Sequence, residues 1–202
     1  MAITINGSTN SITGLANGGL PDGCILDADI NGMAASKLSG ALPAISGASL
    51  TGIAAGITMA QAWRLNSAFS GEVTPITGWT KYTENNASNF GGDMVESSGI
   101  FTFPSTGFYM IETQGYHYGS NANTSTCIFP RFTTNNSTYL DQTKSYTNVP
   151  NLSGYWYSTS YNKHFFDVTN VSTHKCRIDS DGNSEIINGD GTLVRFIRLA
   201  DT

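Results

Sequence analysis

Aromatic residues are absent from positions 1–62 of this 202-residue chain, because all three Trp, nine Tyr and ten Phe lie at or beyond Trp63. Aromatic side chains bury the largest areas and dominate globular cores. Without them, a segment of Gly, Ala, Ser, Thr, Asn and a few aliphatic residues cannot bury enough surface to offset the entropy lost on ordering its backbone. Positions 1–62 are therefore either a flexible linker or a segment ordered by other chains.

A loose repeat favours the second interpretation. The triplet Ile or Leu, then Ser, Thr or Asn, then Gly occurs six times in the first 52 residues. Each triplet supplies one apolar side chain followed by a glycine with a permissive backbone. Three parallel copies can bury these side chains against one another, which predicts an extended, Gly/Ala/Ser-rich trimeric shaft.

Charge is also scarce: 12% of residues are charged and the net charge is −5, whereas roughly a quarter of residues are charged in an average domain. No basic patch is present, so we expect no nucleic-acid partner. No run approaches the ~18 apolar residues that span a bilayer, so we expect no membrane insertion. The first six residues lack the basic and apolar regions of a signal peptide, so no cleaved leader is expected.

Motifs for catalysis are missing as well. The cysteines at 24, 127 and 176 form no CxxC pair, and the three histidines have no metal-ligand spacing. We predict no catalytic site and no cofactor, and thus no enzyme. Glu96 and Glu112 are the nearest approach to the carboxylate pair of a polysaccharide-cutting enzyme. Cys127 and Cys176 are expected to be free buried thiols, with a disulfide between them as an open alternative.

One run of oxygen donors invites a calcium interpretation. Asp179, Asp181, Asn183 and Glu185 fall within seven residues, and calcium prefers clustered oxygen ligands. The spacing does not match an EF-hand, because Gly182 comes too early. We therefore predict no metal site. The alternative to a calcium site is a hairpin turn whose acidic side chains are solvated.

From Trp63 onward the pattern changes to short runs of aromatic and β-branched residues bounded by Gly, Asn, Pro and Asp turns. About ten short strands without an amphipathic helix predict an all-β sandwich, most simply a jelly roll. The predicted strands are 63–69, 79–82, 99–103, 108–118, 126–133, 137–146, 156–160, 164–168, 174–178 and 192–199.

The sequence SGIFTFPSTGFYMI at 98–111 resembles the central hairpin of the complement one-q and tumour-necrosis-factor (TNF) jelly rolls. In that hairpin a proline closes one strand, a glycine permits the turn, and alternate residues of the next strand share one face. The resemblance implies a trimer. It also implies that four residues serve either the sandwich core or the trimer axis: Phe101, Phe103, Tyr109 and Ile111.

The phrase ILDADINGMAASKL at 25–38, followed by SGALPAISGASLTG at 39–52, resembles the shafts of phage tail fibres, notably those of marine and cyanobacterial phages. The stretches AWRL at 62–65 and ITGW at 76–79 are similar to the opening strands of phage versions of the jelly roll. These resemblances imply a virion structural protein, a short homotrimeric tail fibre or spike exposed on the particle exterior. The alternatives are a head fibre, a capsid decoration protein, or a secreted adhesion module outside any virus.

This interpretation divides the chain into a virion-attachment β-element at 1–22, a shaft at 23–62 and a jelly-roll head at 63–202. The attachment element pairs two short strands around Asn6-Gly7, and we expect it to contact other virion proteins through Ile3, Ile5, Ile12 and Leu15. The head is expected to bind a host-surface glycan or protein, because several aromatics combine flat apolar faces with polar edges. These receptor-binding candidates are Tyr116, Tyr118, Tyr155, Trp156, Tyr157 and Tyr161.

Overall fold

The computed structural model of the chain describes residues 4–6, 8, 11–13, 56–84, 89–119, 124–150, 154, 156–182, 186–187 and 191–202. These residues form strands, turns and bends. Fifteen strands are present among them: β1 (Thr4–Asn6), β2 (Ser11–Thr13), β3 (Met59–Leu65), β4 (Phe69–Ser70), β5 (Trp79–Lys81), β6 (Val95–Ser97), β7 (Ile100–Thr102), β8 (Gly107–Gly119), β9 (Thr124–Thr133), β10 (Leu140–Asp141), β11 (Thr147–Val149), β12 (Trp156–Val168), β13 (Lys175–Asp181), β14 (Ile186–Ile187) and β15 (Leu193–Ala200). No described segment forms a helix long and apolar enough to cross a lipid bilayer.

The chain divides into two compact units, Met1–Thr51 and Gly52–Thr202. In the first unit, β1 and β2 pair antiparallel, with Ile5 opposite Ile12. This pairing is the one that the sequence predicts for the N-terminal β-element. Ile3, Leu15 and the predicted shaft up to residue 55 lie outside the described residues.

The second unit is a sandwich of two antiparallel sheets. Sheet I has the order β4-β14-β8-β15-β3-β5, and β12 pairs with the other side of β8 along its whole length. Sheet II has the order β10-β9-β13-β7-β6, with β11 also paired to β9. The predicted all-β jelly-roll head is confirmed.

The core lies between the two sheets and is built from aromatic side chains. Phe101 of sheet II contacts Phe196 of sheet I at 4.8 Å between ring centroids, and Trp63 meets Phe101 edge-on at 5.5 Å. Strict alternation creates this core, because the odd-numbered residues of β8 from Gly107 to Gly119 are buried and the even-numbered ones are not. A strand with this period presents one face to a core and the other to the outside.

The head begins earlier than the predicted boundary at residue 63, because β3 starts at Met59 and Met59 is 1% exposed. An arginine fastens this start. Arg198 of β15 donates from Nη1 to Thr58 Oγ1 at 2.7 Å and from Nε to Thr106 O at 2.9 Å. The turn before β8 leaves room for this guanidinium only because residue 107 is glycine: a Cβ there would lie 2.4 Å from Arg198 Nε.

Candidate interaction surface

The solvent side of sheet I, which we call the outer face, carries large apolar side chains at the end where β8 begins. Phe108 of β8 and Phe165 of β12 are 39% and 58% exposed. Their rings stack with 5.6 Å between centroids and 10° between planes. Met110 lies opposite Phe165 on one side and opposite Ile197 of β15 on the other. We call these four residues, Phe108, Met110, Phe165 and Ile197, the Phe108 patch.

A hollow continues the Phe108 patch across β15 to β3. Its volume is about 180 Å³, and its walls are formed by Ala60, Gln61, Ala62, Arg195 and Ile197. The small alanine side chains of β3 make this depression, because β3 is paired to β15 with Ala60 opposite Ile197 and Ala62 opposite Arg195. A shallow apolar hollow beside protruding phenylalanines is a shape that a second protein surface can fill.

Charges interrupt the apolar surface in the middle of the outer face. Glu112 Oε1 accepts from Arg195 Nη1 at 2.9 Å, while Lys163 Nζ lies 3.6 Å from Glu112 Oε2. The Glu112 side chain is only 14% exposed. Burial and a hydrogen bond to Glu112 raise the pKa of Tyr161 above its usual value. The charged side chains of this cluster are therefore partly buried within a single chain.

The opposite end of the outer face, where β8 ends, carries tyrosine side chains. Tyr116 of β8 stacks on Tyr157 of β12 with 5.4 Å between centroids and 7° between planes, and Tyr118 lies 5.8 Å from the same ring. Gly191 leaves room for Tyr116, because a Cβ at residue 191 would lie 2.6 Å from the Tyr116 Cβ. Tyr157 is 58% exposed. We call Tyr116, Tyr118 and Tyr157 the Tyr157 patch.

The structure divides the sequence-predicted receptor residues between two sides of the sheet. Tyr116, Tyr118, Tyr157 and Tyr161 share the outer face by strand alternation. Trp156 is 40% exposed but points to the opposite side, since it precedes Tyr157 in β12. Tyr155 lies outside the described residues.

The four residues that the resemblance assigned to the core or the trimer axis all lie inside the sandwich. Phe101, Phe103, Tyr109 and Ile111 are each 2% exposed or less. Tyr109 is fixed further by its hydroxyl, which donates to Ser105 O at 3.0 Å. These side chains are enclosed by their own chain and cannot contact another copy.

The described calcium candidates already have cationic partners. Asp179 Oδ2 lies 3.0 Å from Arg177 Nη2 and 3.1 Å from Arg131 Nε, and burial raises the pKa of Asp179 in spite of both guanidinium groups. Asp181 Oδ2 accepts from Lys144 at 2.6 Å and from Tyr146 at 2.7 Å, and the Lys144 hydrogen bond lowers its pKa. Asn183 and Glu185 lie outside the described residues. Among the residues that the structure describes, no cluster of three potential metal ligands occurs.

The side chains that could take part in catalysis are either buried in the sandwich or lie on different sheets. His117 is fully buried, with Nε2 2.9 Å from Ser160 Oγ and Nδ1 3.3 Å from Thr126 Oγ1. Burial lowers the pKa of His117 to about 4, so the ring is neutral at pH 7. Glu96 and Glu112 stand on different sheets, in β6 and β8. Cys127 and Cys176 are buried free thiols.

Sequence reasoning missed the Phe108 patch and the charges beside it. The signal was present in the alternation: Phe108 and Met110 take the opposite side of β8 from Tyr109 and Ile111, which were assigned to the core. A contiguous apolar patch on the solvent side of a core sheet is the informative observation, because single exposed apolar residues are ordinary on protein surfaces.

No protein-family model matches the chain, and no curated protein sequence is significantly similar to it. Solved structures do resemble it. The Eiger TNF structure from S. frugiperda matches with a TM-score of 0.56 and 12% identity, covering 73% of this chain and 96% of that one. Murine APRIL at pH 5.0 matches with a TM-score of 0.51 and 12% identity, covering 70% and 98%. At identities this low the structural likeness shows the fold alone, and the head of this chain has a TNF-like jelly-roll fold.

Proposed function

We propose that this chain is a homotrimeric adhesion module, the short fibre of a phage particle, and that its copies meet through the Phe108 patch. The observation that carries the proposal is the stacked pair Phe108 and Phe165 on the solvent side of a core sheet. A contiguous apolar patch on an otherwise polar surface marks an interaction site. The fold shared with TNF-type structures supports three copies.

The energetics favour another copy over water at this patch. Each large apolar side chain gains roughly 1.5–3 kcal/mol when it is fully buried, and four such side chains lie together here. The adjacent hollow between Ala60 and Ile197 offers space for a protruding ring. Protruding phenylalanines and a receiving hollow on one face are complementary, as a closed head-to-tail ring requires.

Sedimentation velocity of the full chain tests this assembly. We expect a mass three times the 21.5 kDa of one chain, and we expect Phe165→Asp to give a monomer, since a buried unpaired carboxylate is costly. Val95→Asp is the matched control, because Val95 is 59% exposed on β6 of sheet II. A monomeric wild type, or a trimer that tolerates Phe165→Asp, would contradict the proposal.

We propose that recognition of the host surface uses the Tyr157 patch at the other end of the outer face. Phe108 and Tyr118 are ten residues apart on β8, roughly 33 Å along a strand, so the two patches can act separately. Half-exposed tyrosines provide flat apolar faces with hydroxyl edges, a combination that suits glycans and proteins. Three weak sites on one rigid body gain avidity through their effective concentration.

Binding of the labelled chain to host cells tests this role. Tyr157→Ala together with Tyr118→Ala should reduce binding at least about tenfold, while sedimentation continues to show a trimer. Undiminished binding by that variant would place recognition elsewhere on the head. Tyr146→Ala is the matched control, because Tyr146 is 48% exposed away from this face.

The proposed location on a phage particle rests on the N-terminal sequence, where low-complexity shaft phrases precede an aromatic-rich head. Mass spectrometry of purified particles from the source phage tests it. We expect the chain among tail proteins, and recovery with isolated heads would instead favour a head fibre or capsid decoration protein. Absence from the particle, with recovery in the medium, would favour a secreted adhesion module.

A further inference from the structure

The outer face of sheet I carries two cations and two anions around the Phe108 patch. They are Lys163, Arg195, Glu112 and Asp167. Arg64, at the β3 end of the face, is satisfied separately, because it pairs with Glu84 at 2.8 Å. Glu112 and Arg195 form one satisfied pair at 2.9 Å. Lys163 and Asp167 remain, one of each sign.

Lys163 has no close carboxylate partner among the residues that the structure describes. Its Nζ lies 3.6 Å from Glu112 Oε2 and 5.7 Å from the centroid of the Tyr161 ring, and its side chain is 45% exposed. Glu112 is already engaged by Arg195 at 2.9 Å, so one carboxylate faces two cations. The cluster around Glu112 therefore carries one surplus positive charge in each chain.

Asp167 has no ion pair with any residue that the structure describes, and it is exposed. It shares an alternating face with Lys163, but four residues separate them in β12, which is about 13 Å along a strand. Their charged atoms cannot reach one another within a chain over that span. Each chain thus presents a cation and an anion that are complementary but too far apart to pair.

Phe165 links these two charges to assembly. Lys163 and Asp167 flank it at two residues on either side, on the same face of the edge strand β12. Any surface that buries Phe165 also removes water from both charges. A charge buried without a partner is strongly unfavourable, so the covering surface must supply a carboxylate to Lys163 and a cation to Asp167.

We propose that Lys163 of one copy forms an ion pair with Asp167 of the next copy, and that this pair fixes the register in which copies assemble. The proposal rests on the self-association proposed above. A second copy of the chain presents both required charges around the same apolar side chain. In a closed head-to-tail ring, every Lys163 and every Asp167 finds a partner.

A double-mutant cycle on the full chain tests the pair. Lys163→Gln and Asp167→Asn each leave one buried charge unpaired, so each should raise the midpoint concentration for dissociation about tenfold. The variant with both substitutions should dissociate no more readily than either single one, because removing both charges leaves none unpaired. Sedimentation across a dilution series measures these midpoints.

The control is Lys175→Gln, which removes a lysine from β13 of sheet II and should leave the midpoint unchanged. If the effects of Lys163→Gln and Asp167→Asn multiply in the double variant, the two charges do not interact and the proposed pair is overturned while self-association stands. A wild-type chain that remains monomeric at all concentrations overturns both proposals.

Discussion

The ring of Phe165 lies parallel to that of Phe108 on the solvent side of sheet I, while the next residue along β12, Phe166, stacks on Phe132 with centroids 4.4 Å apart on the core side. Consecutive phenylalanines on β12 therefore serve two interiors. One interior is the core of the chain itself. The other, in our account, is completed only when copies assemble, and the predictions below separate the two.

Replacing a core phenylalanine should destabilise the head far more than replacing an exposed apolar residue. Phe101 is fully buried, so Phe101→Ala should lower the free energy of unfolding by about 4 kcal/mol. Leu140 is 63% exposed, so Leu140→Ala should change it by less than about 0.5 kcal/mol. Urea denaturation measures both, in a Phe165→Asp background so that assembly does not contribute. Equal losses would show that Phe101 is not a core residue.

Acid should destabilise the head through His117. Burial lowers the pKa of His117 to about 4 from an ordinary value of 6.5. Between these values the unfolded chain binds more protons than the folded one, so stability is full above pH 6.5 and falls as the pH drops toward 4. The loss attributable to His117 is about 3 kcal/mol.

Protonation of carboxylates such as Asp93, whose pKa is lowered by the Lys81 hydrogen bond, also destabilises the folded chain in acid. The substitution His117→Gln separates the contribution of His117 from theirs. Urea denaturation at pH 7 and pH 4.5 should show a smaller pH dependence in the variant than in the wild type. An identical dependence in both would mean that His117 does not contribute to the loss of stability in acid.

The two head thiols should resist alkylation in the native chain. Cys127 and Cys176 are fully buried, and burial raises the pKa of Cys127 to about 12 and that of Cys176 well above its usual value. The thiolate is the reactive form, so neither should label at pH 8. In a Cys24→Ser variant, mass spectrometry should find no adduct natively and two after denaturation. One native adduct would contradict the burial of that thiol, and none after denaturation would indicate a disulfide.

Gly107 should be irreplaceable in the turn before β8. Its φ is +146°, and a Cβ there would lie 2.4 Å from Arg198 Nε and 2.7 Å from Ala200 O. Gly107→Ala should therefore destabilise the head by about 2 kcal/mol, measured as a lower Tm. Gly56→Ala is the control, because nothing lies within 4 Å of the Cβ it would add. Equal stability of the two variants would contradict the Arg198 arrangement.

The sandwich was predictable because apolar and polar residues alternate along several of its strands. The stretch 98–111 predicts a hairpin, and the structure has β7 at Ile100–Thr102 and β8 beginning at Gly107. The start of β3 was not predictable, because Ala60 and Ala62 have low strand propensity and are held there by pairing with β15. Long-range pairing overrides local preference at such positions.

Other errors have the same origin. Two strands were expected at 156–160 and 164–168, but β12 runs unbroken from Trp156 to Val168. Asn162, which lies between the two predicted strands, is 4% exposed, donates to Ile128 O at 2.8 Å and accepts from Ser145 N at 2.7 Å. These partners are distant in sequence, so the pattern alone cannot show that a buried asparagine is satisfied.

The segment 137–146 was expected to be a strand, but within it only Leu140–Asp141 is one. Its side chains instead pack onto sheet II: Lys144 Nζ lies 4.2 Å from the Phe129 ring centroid, and the Arg177 guanidinium lies 4.5 Å from the Tyr139 ring. Contacts of cations with rings stabilise this segment without strand pairing. The candidate site escaped prediction for a related reason, since outward and inward aromatics look alike until strand faces are assigned.

Hydroxyl-radical footprinting of the full chain tests the central claim most directly, because it reports the solvent exposure of individual side chains. At a concentration where the chain assembles, we predict that Phe108 and Met110 react several-fold less than in the Phe165→Asp variant. Leu140, which is 63% exposed on β10 of sheet II, should react equally in both. Equal reactivity of Phe108 and Met110 in the two proteins would mean that the outer face of sheet I stays open to water, and would contradict the account.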